Sequence, residues 1–248
     1  MKKTLPYFIS LLVLTCNNDN AFDCLQTNGN IIVQDYTIDS FNQIIVNENI
    51  ELVVIDGEDY SLKIETGINL ISDVSFTLSQ GILTLNDSNS CNWLRSYAPT
   101  RITVTTPTLK KIISNTQYVI SSQGILSYPN LELVSDNFSE GLISVGDFNL
   151  EVESQTLNII SNNLSQFFIS GSTENLFIGF YSGTTSFFGA NLIAQEVNVF
   201  HRSSHNIIIH PIHSLTGELL GIGDLISMNT PDIIDITELY IGSLVFLD

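Results

Sequence analysis

The sequence predicts an all-β protein whose main body is a parallel β-helix. Three observations carry that expectation. Period-two alternation and β-branched runs dominate from Asn30 onward. The second half recurs at a nearly fixed spacing. No amphipathic helical pattern follows the N-terminal segment, apart from a short helical turn expected near Gly67 to Asp73.

The elements are taken in chain order. Lys2 and Lys3 precede a mostly apolar stretch, residues 5–14, which is interrupted by Pro6 and Ser10. That stretch falls short of the roughly 20 apolar residues needed to span a bilayer, and fits the core of a signal peptide. Val13-Leu14-Thr15-Cys16 then follows. A lipobox needs an aliphatic residue three before the cut, small side chains near the scissile bond and a Cys thiol to receive the lipid. Val13 and Cys16 fit, while Leu14 and Thr15 match more loosely. Residues 1–15 are therefore expected to be a lipoprotein signal peptide, with Cys16 lipidated. Residues 16–29, opening on Asn17-Asn18-Asp19-Asn20, are expected to be a polar tether. The competing reading is an ordinary signal peptide with Cys16 incidental.

Residues 30–108 form the N-terminal β region, expected to pack on the solenoid as a cap. Ile31-Ile32-Val33, Gln43-Ile44-Ile45-Val46, Ile50 to Ile55 and Tyr60 to Glu65 read as strands. Asp56-Gly57-Glu58-Asp59 is a turn signal between two of them. Val74 to Leu78, Gln80-Gly81 and Ile82 to Leu85 form a hairpin pattern. Arg101 to Thr105 is a further strand, closed by Pro107.

Residues 109–248 carry the repeat. Segments opening at Leu157, Leu176, Val197 and Leu215 start 19, 21 and 18 residues apart. Phe167-Phe168-Ile169, Phe187-Phe188-Gly189 and Ile207-Ile208-Ile209 follow one another at intervals of 20. Leu109 and Leu131 open similar segments. Asn, Ser, Gly and Thr stand between the segments, as the corners of a coil require. A β-sandwich is the alternative architecture. No linker divides the halves, so residues 30–248 read as one continuous domain.

These residues resemble the putative auto-transporter adhesin, head GIN domain family of bacterial lipoproteins. The resemblance rests on Phe41-Asn42-Gln43-Ile44-Ile45-Val46-Asn47, Ile50-Glu51-Leu52-Val53 and Leu83-Thr84-Leu85. It continues through Ile102 to Leu109, Phe168-Ile169-Ser170-Gly171, Gly223-Asp224-Leu225-Ile226 and Tyr240-Ile241-Gly242-Ser243-Leu244. It spans roughly Val33 to the C-terminus. It implies a right-handed β-helix and a secreted or surface location, and no catalytic residues. The rungs here use Ser and Asn where the family is rich in Gly-Asp.

Charge narrows the partners. The chain holds 8 Lys+Arg against 26 Asp+Glu, a formal net charge of −18. Removal of Lys2 and Lys3 with the signal would leave 6 basic residues and −20. Nucleic acid is excluded as a partner, because phosphate binding needs basic clusters. Only 14% of residues are charged, so solubility rests on Asn, Ser and Thr. The expected partners are a membrane through the lipid anchor, and a glycan or envelope protein. The expected location is the outer membrane, on its periplasmic face or at the cell surface. The oligomeric state is open.

The residues that carry chemistry are few. Cys24 and Cys91 are an even pair in an exported chain, which points to a disulfide; two free thiols are the alternative. His201, His205, His210 and His213 cluster with Arg202 among them. They are weak zinc candidates, since no Cys or HExxH-type spacing accompanies them, and exposed rung positions are the plainer reading. Glu151 and Glu153 lie two apart, facing one side of a strand. No GxSxG nucleophile motif occurs, and Gly221-Ile222-Gly223-Asp224 precedes no helix. For Trp93, Tyr97, Tyr118, Phe180 and Tyr181, core or corner packing is the plainer reading and a sugar-stacking platform the alternative. No catalytic residue, cofactor or metal site is assigned. The expected role is a non-catalytic binding, adhesion or structural module, with a carbohydrate-active β-helix enzyme as the alternative.

Overall fold

The apolar triplets that recur along the second half lie directly opposite one another in the computed structural model, which describes residues 27–89, 99–136 and 144–247. Phe167 aligns with Phe187, and Phe187 with Ile207. Leu157 aligns with Leu176, Leu176 with Val197 and Val197 with Leu215. The sequence period is thus the hydrogen-bonding register of parallel strands. Leu131 also aligns, with Leu157. Leu109 does not open a matching strand: the strand there begins at Lys111, and its Ile112 faces Leu133.

The protein is all-β. In chain order the strands are β1 (Ile31–Thr37), β2 (Gln43–Val46), β3 (Ile50–Asp56), β4 (Ser61–Gly67), β5 (Val74–Ser79) and β6 (Ile82–Asp87). Then come β7 (Thr100–Thr106), β8 (Lys111–Ser114), β9 (Ile120–Leu126), β10 (Asn130–Ser135), β11 (Phe148–Ser161) and β12 (Gln166–Phe180). The last are β13 (Ser186–His201), β14 (Ile207–Leu219), β15 (Leu225–Ser227), β16 (Ile233–Glu238) and β17 (Leu244–Phe246). The expected helical turn is a 3₁₀ turn, Ile71–Asp73. Among the described residues all seventeen strands belong to one hydrogen-bonded sheet, which curls strongly.

Two parallel rows run through this sheet. One row stacks β6, β2, β8 and β10, then the C-terminal halves of β11 to β14, then β16. The other stacks β7, β3 and β9, then the N-terminal halves of β11 to β14, then β15 and β17. The parallel rows continue across residue 108. Within residues 30–108 the antiparallel pairings are β1–β4, β4–β7 and β5–β6, at one end of the rows. The hairpin between β5 and β6 turns on Gln80 and Gly81, whose φ values of 53° and 77° suit a two-residue hairpin loop.

The inward residues of both rows form one core. Ile44, Leu52, Leu83, Val104, Ile120, Leu157, Phe167, Ile178 and Ile207 are fully buried within it. Phe148 and Phe167 stack at 4.7 Å with planes 10° apart. Each such side chain contributes about 1.5–3 kcal/mol of burial. Corners are held by side chains bonding to the next rung. Asp147 Oδ1 accepts from the Gln166 amide at 2.9 Å, and Asn206 Oδ1 from the Asp224 amide at 3.0 Å. Asp224 Oδ1 accepts in turn from the Ser243 amide at 3.0 Å. This is why Asn and Asp mark the corners: a short carbonyl arm reaches a backbone N–H that the turn leaves unpaired. A buried hydroxyl column does the same inside, with Ser135 Oγ 2.8 Å from Ser144 Oγ and 2.6 Å from Ser165 Oγ.

Candidate ligand-binding groove

Residues that alternate with the core positions point outward, and parallel register sets them in rows across the strands. One row runs Phe177, Asn198, Thr216, Asp235. Its neighbour, two residues on, runs Gly179, Phe200, Glu218, Thr237. Tyr181 follows β12 at the corner and is 40% exposed. All of these but Gly179, together with Val199 and Gly217, line an open groove of about 490 Å³.

The groove has an aromatic half and a polar half. Gly179 is the floor of the first. A Cβ there would lie 3.0 Å from Phe177 Cε1 and 3.1 Å from Tyr181 Cε2, so both rings lie down against the sheet over the glycine. Tyr181 and Phe200 stand 5.2 Å apart with planes tilted by 34°. The rings therefore make a shelf. In the polar half, Asn198 Nδ2 donates to Thr216 Oγ1 at 2.8 Å, which orients the amide. Glu218 and Asp235 supply two carboxylates, and among the described residues no Lys, Arg or His lines the groove. A second groove, about 580 Å³, has Glu153, Gln155 and Glu174 in its lining and, among the described residues, no aromatic ring.

A different outward row is apolar: Phe168, Phe188, Ile208, Ile226, Val245. Phe168 and Phe188 stack at 4.7 Å and are 40% and 37% exposed.

The histidines do not converge. His201 ends β13 and His205 lies beyond the Arg202-Ser203-Ser204 corner, exposed. His210 is half-buried with Nδ1 3.2 Å from the Ala190 carbonyl, and His213 is exposed, 3.6 Å from Asp232. His201 departs from the expected exposed position. It is fully buried in the inward column Ser161, Phe180, His201, Leu219, with its ring 6.3 Å from that of Phe180. Neither ring nitrogen has a hydrogen-bond partner. Burial pushes its pKa down to about 4, while the Gly223 backbone, Asp224 and the His205 backbone pull the other way without offsetting it. Among the described residues no group of three or more His, Cys, Asp or Glu is placed to hold a metal ion.

Glu151 and Glu153 both point outward from β11, exposed, as their spacing predicts. Of the aromatic residues weighed as packing or as a platform, Phe180 is core, Tyr118 is half-buried and Tyr181 lines the groove. Cys16, Cys24, Cys91, Trp93 and Tyr97 lie outside the described residues. Sequence reading missed Phe177, Phe200, Glu218 and Asp235. Their signal was outward parity on strands one repeat apart, legible only once the register is known. No helix among the described residues is long and apolar enough to cross a membrane.

The fold is shared with solved structures of low sequence identity. A putative adhesin from Bacteroides fragilis superposes with a TM-score of 0.78 at 19% identity, covering 88% of this chain and 97% of that one. A putative lipid binding protein from Parabacteroides distasonis gives 0.63 at 13% identity, covering 89% and 98%. A putative adhesin from Parabacteroides merdae gives 0.58 at 16% identity, covering 89% and 98%. No curated protein matches the sequence significantly. Residues 40–231, well over half of the chain, match the family described as putative auto-transporter adhesin, head GIN domain, and the chain belongs to that family.

Proposed function

We propose that the protein is an exported lipoprotein of the cell envelope, held to the outer membrane through Cys16, whose β-strands form a right-handed parallel β-helix acting as a non-catalytic binding or adhesion module. The observation that carries the binding role is the outward groove of Tyr181, Phe200 and Glu218 on a stack whose every rung is fixed by its neighbours. Family membership supports it, since related structures are described as putative adhesins and one as a putative lipid binding protein. Parallel strands with register offsets of 17 to 21 residues support the β-helix, and the strong right-handed preference of parallel crossovers supplies its hand. Cys24 and Cys91 would staple the tether region to the body as a disulfide.

The anchor is tested by feeding radiolabelled palmitate to cells expressing the full chain. Label is expected on the wild type and absent from Cys16→Ser; label on the variant sinks the anchor. For the binding role, the full chain on beads is offered separated envelope protein, polysaccharide and phospholipid fractions. Saturable retention of one is expected. Retention of none would leave the chain a structural element.

A further inference from the structure

We propose that the groove formed by Phe177, Tyr181, Phe200, Glu218 and Asp235 binds a neutral glycan chain, with a pyranose ring seated on the Tyr181–Phe200 shelf. This deepens the binding role proposed above and rests on it.

Three features select that ligand class. The first is ring geometry. Tyr181 and Phe200 are 5.2 Å apart and tilted by only 34°, over a strand floor kept low by Gly179. A shelf suits a flat, C–H-faced ring. A cation is better held by aromatic faces that surround it, and this surface is open on its solvent side.

The second is polar chemistry beside the shelf. Five of the ten lining residues are polar: Asn198, Thr216, Glu218, Asp235 and Thr237. Carboxylates accept from sugar hydroxyls, while Asn and Thr both donate and accept. Alternating hydroxyls on a sugar chain need that mixture. An acyl chain would leave these groups without partners, which is costly on burial.

The third is charge. Among the described residues the groove is lined by two carboxylates and no basic side chain, on a chain of net charge −18. Uronates, sialylated chains, phosphate headgroups and nucleic acids are therefore repelled. Neutral sugars are not. The rows also repeat by rung, about 4.8 Å apart, so an extended chain laid across the strands meets Phe177, Asn198, Thr216 and Asp235 in succession.

The test uses the full chain and calorimetric titration with cellohexaose, laminarihexaose and chitohexaose, set against hexagalacturonate, hexalysine and phosphatidylcholine vesicles. At least one neutral hexasaccharide is expected to bind saturably. Tyr181→Ala and Phe200→Ala should each weaken it by about tenfold, the loss expected of one stacking contact. Phe168→Ala, on the separate apolar row, should leave it unchanged. If either alanine variant fails to fold, Glu218→Gln at an exposed position and Asp235→Asn give the same reading through lost acceptor strength. Tighter binding of hexalysine or vesicles than of any neutral sugar overturns the assignment, as does binding of no neutral sugar. Neutral-sugar binding that ignores Tyr181→Ala and Glu218→Gln overturns the groove but keeps the binding role. Failure of the binding role itself shows separately, as retention of no envelope fraction.

Discussion

His201 is a neutral imidazole in an apolar column, and its titration has a definite sign. The unfolded ring takes a proton near the ordinary 6.5, whereas the buried ring holds out to about 4. The folded state therefore binds fewer protons between those values. Its stability is full above about pH 6.5 and declines as pH falls towards 4, by up to about 3 kcal/mol. Asp87 runs the other way. Burial raises its pKa despite donors from Thr100 at 2.6 Å and the Asn89 amide at 2.9 Å, so what it contributes is lost as pH rises. Comparing wild type with His201→Leu isolates the histidine. The urea midpoint of the variant is expected to fall less between pH 7 and pH 4.5 than that of the wild type. Equal falls would show that His201 is not protonated only on unfolding. The burial was not legible in the sequence, because Arg202-Ser203-Ser204 reads as a corner and the ring sits on its last inward position.

At the scale of the strand, the long members β11 to β14 must bend to serve both rows, and irregular register marks the bend. The β12–β13 ladder shifts between Phe168 and Gly171, where Gly171 takes a φ of 107°. A Cβ there would run into the Val152 carbonyl of the neighbouring strand. Gly217, at 139°, meets the Val199 carbonyl in the same way. Gly171→Ala is therefore expected to cost about 2 kcal/mol or more, from backbone strain plus a contact that cannot move aside. Gly179→Ala should cost much less, since only the side chains of Phe177 and Tyr181 stand in its way. Thermal unfolding of the two variants checks the order. The strands themselves were legible. Phe167, Phe187 and Ile207 are inward, apolar and evenly spaced, so their period is the register. The bends were not, because a glycine in a strand signals a bulge without saying which neighbour it approaches.

On the scale of the whole molecule, the order of rungs is not the order of the chain. β2 lies between β6 and β8, with Ile44 facing Leu83 on one side and Ile112 on the other. β3 lies likewise between β7 and β9. Those pairings span 39 to 68 residues and follow no period, which is why the sequence repeat stops short of them. The consequence is an unequal dependence on the two ends. β16 and β17 each have one parallel neighbour, β14 and β15; the side chains of β16 are largely exposed and those of β17 half-buried. In a stack stabilised by nearest neighbours, removing such a terminal rung loses one interface and leaves the rest intact. Removing β2 and β3 takes out four parallel pairings, against two for β16 and β17, and parts β6 and β7 from every parallel strand beyond. Deleting residues 230–248 is thus expected to lower the urea midpoint while keeping one cooperative transition. Deleting residues 27–58 should abolish the transition, because β6 and β7 then have no parallel partner. Equal losses in the two deletions would contradict the interleaved order.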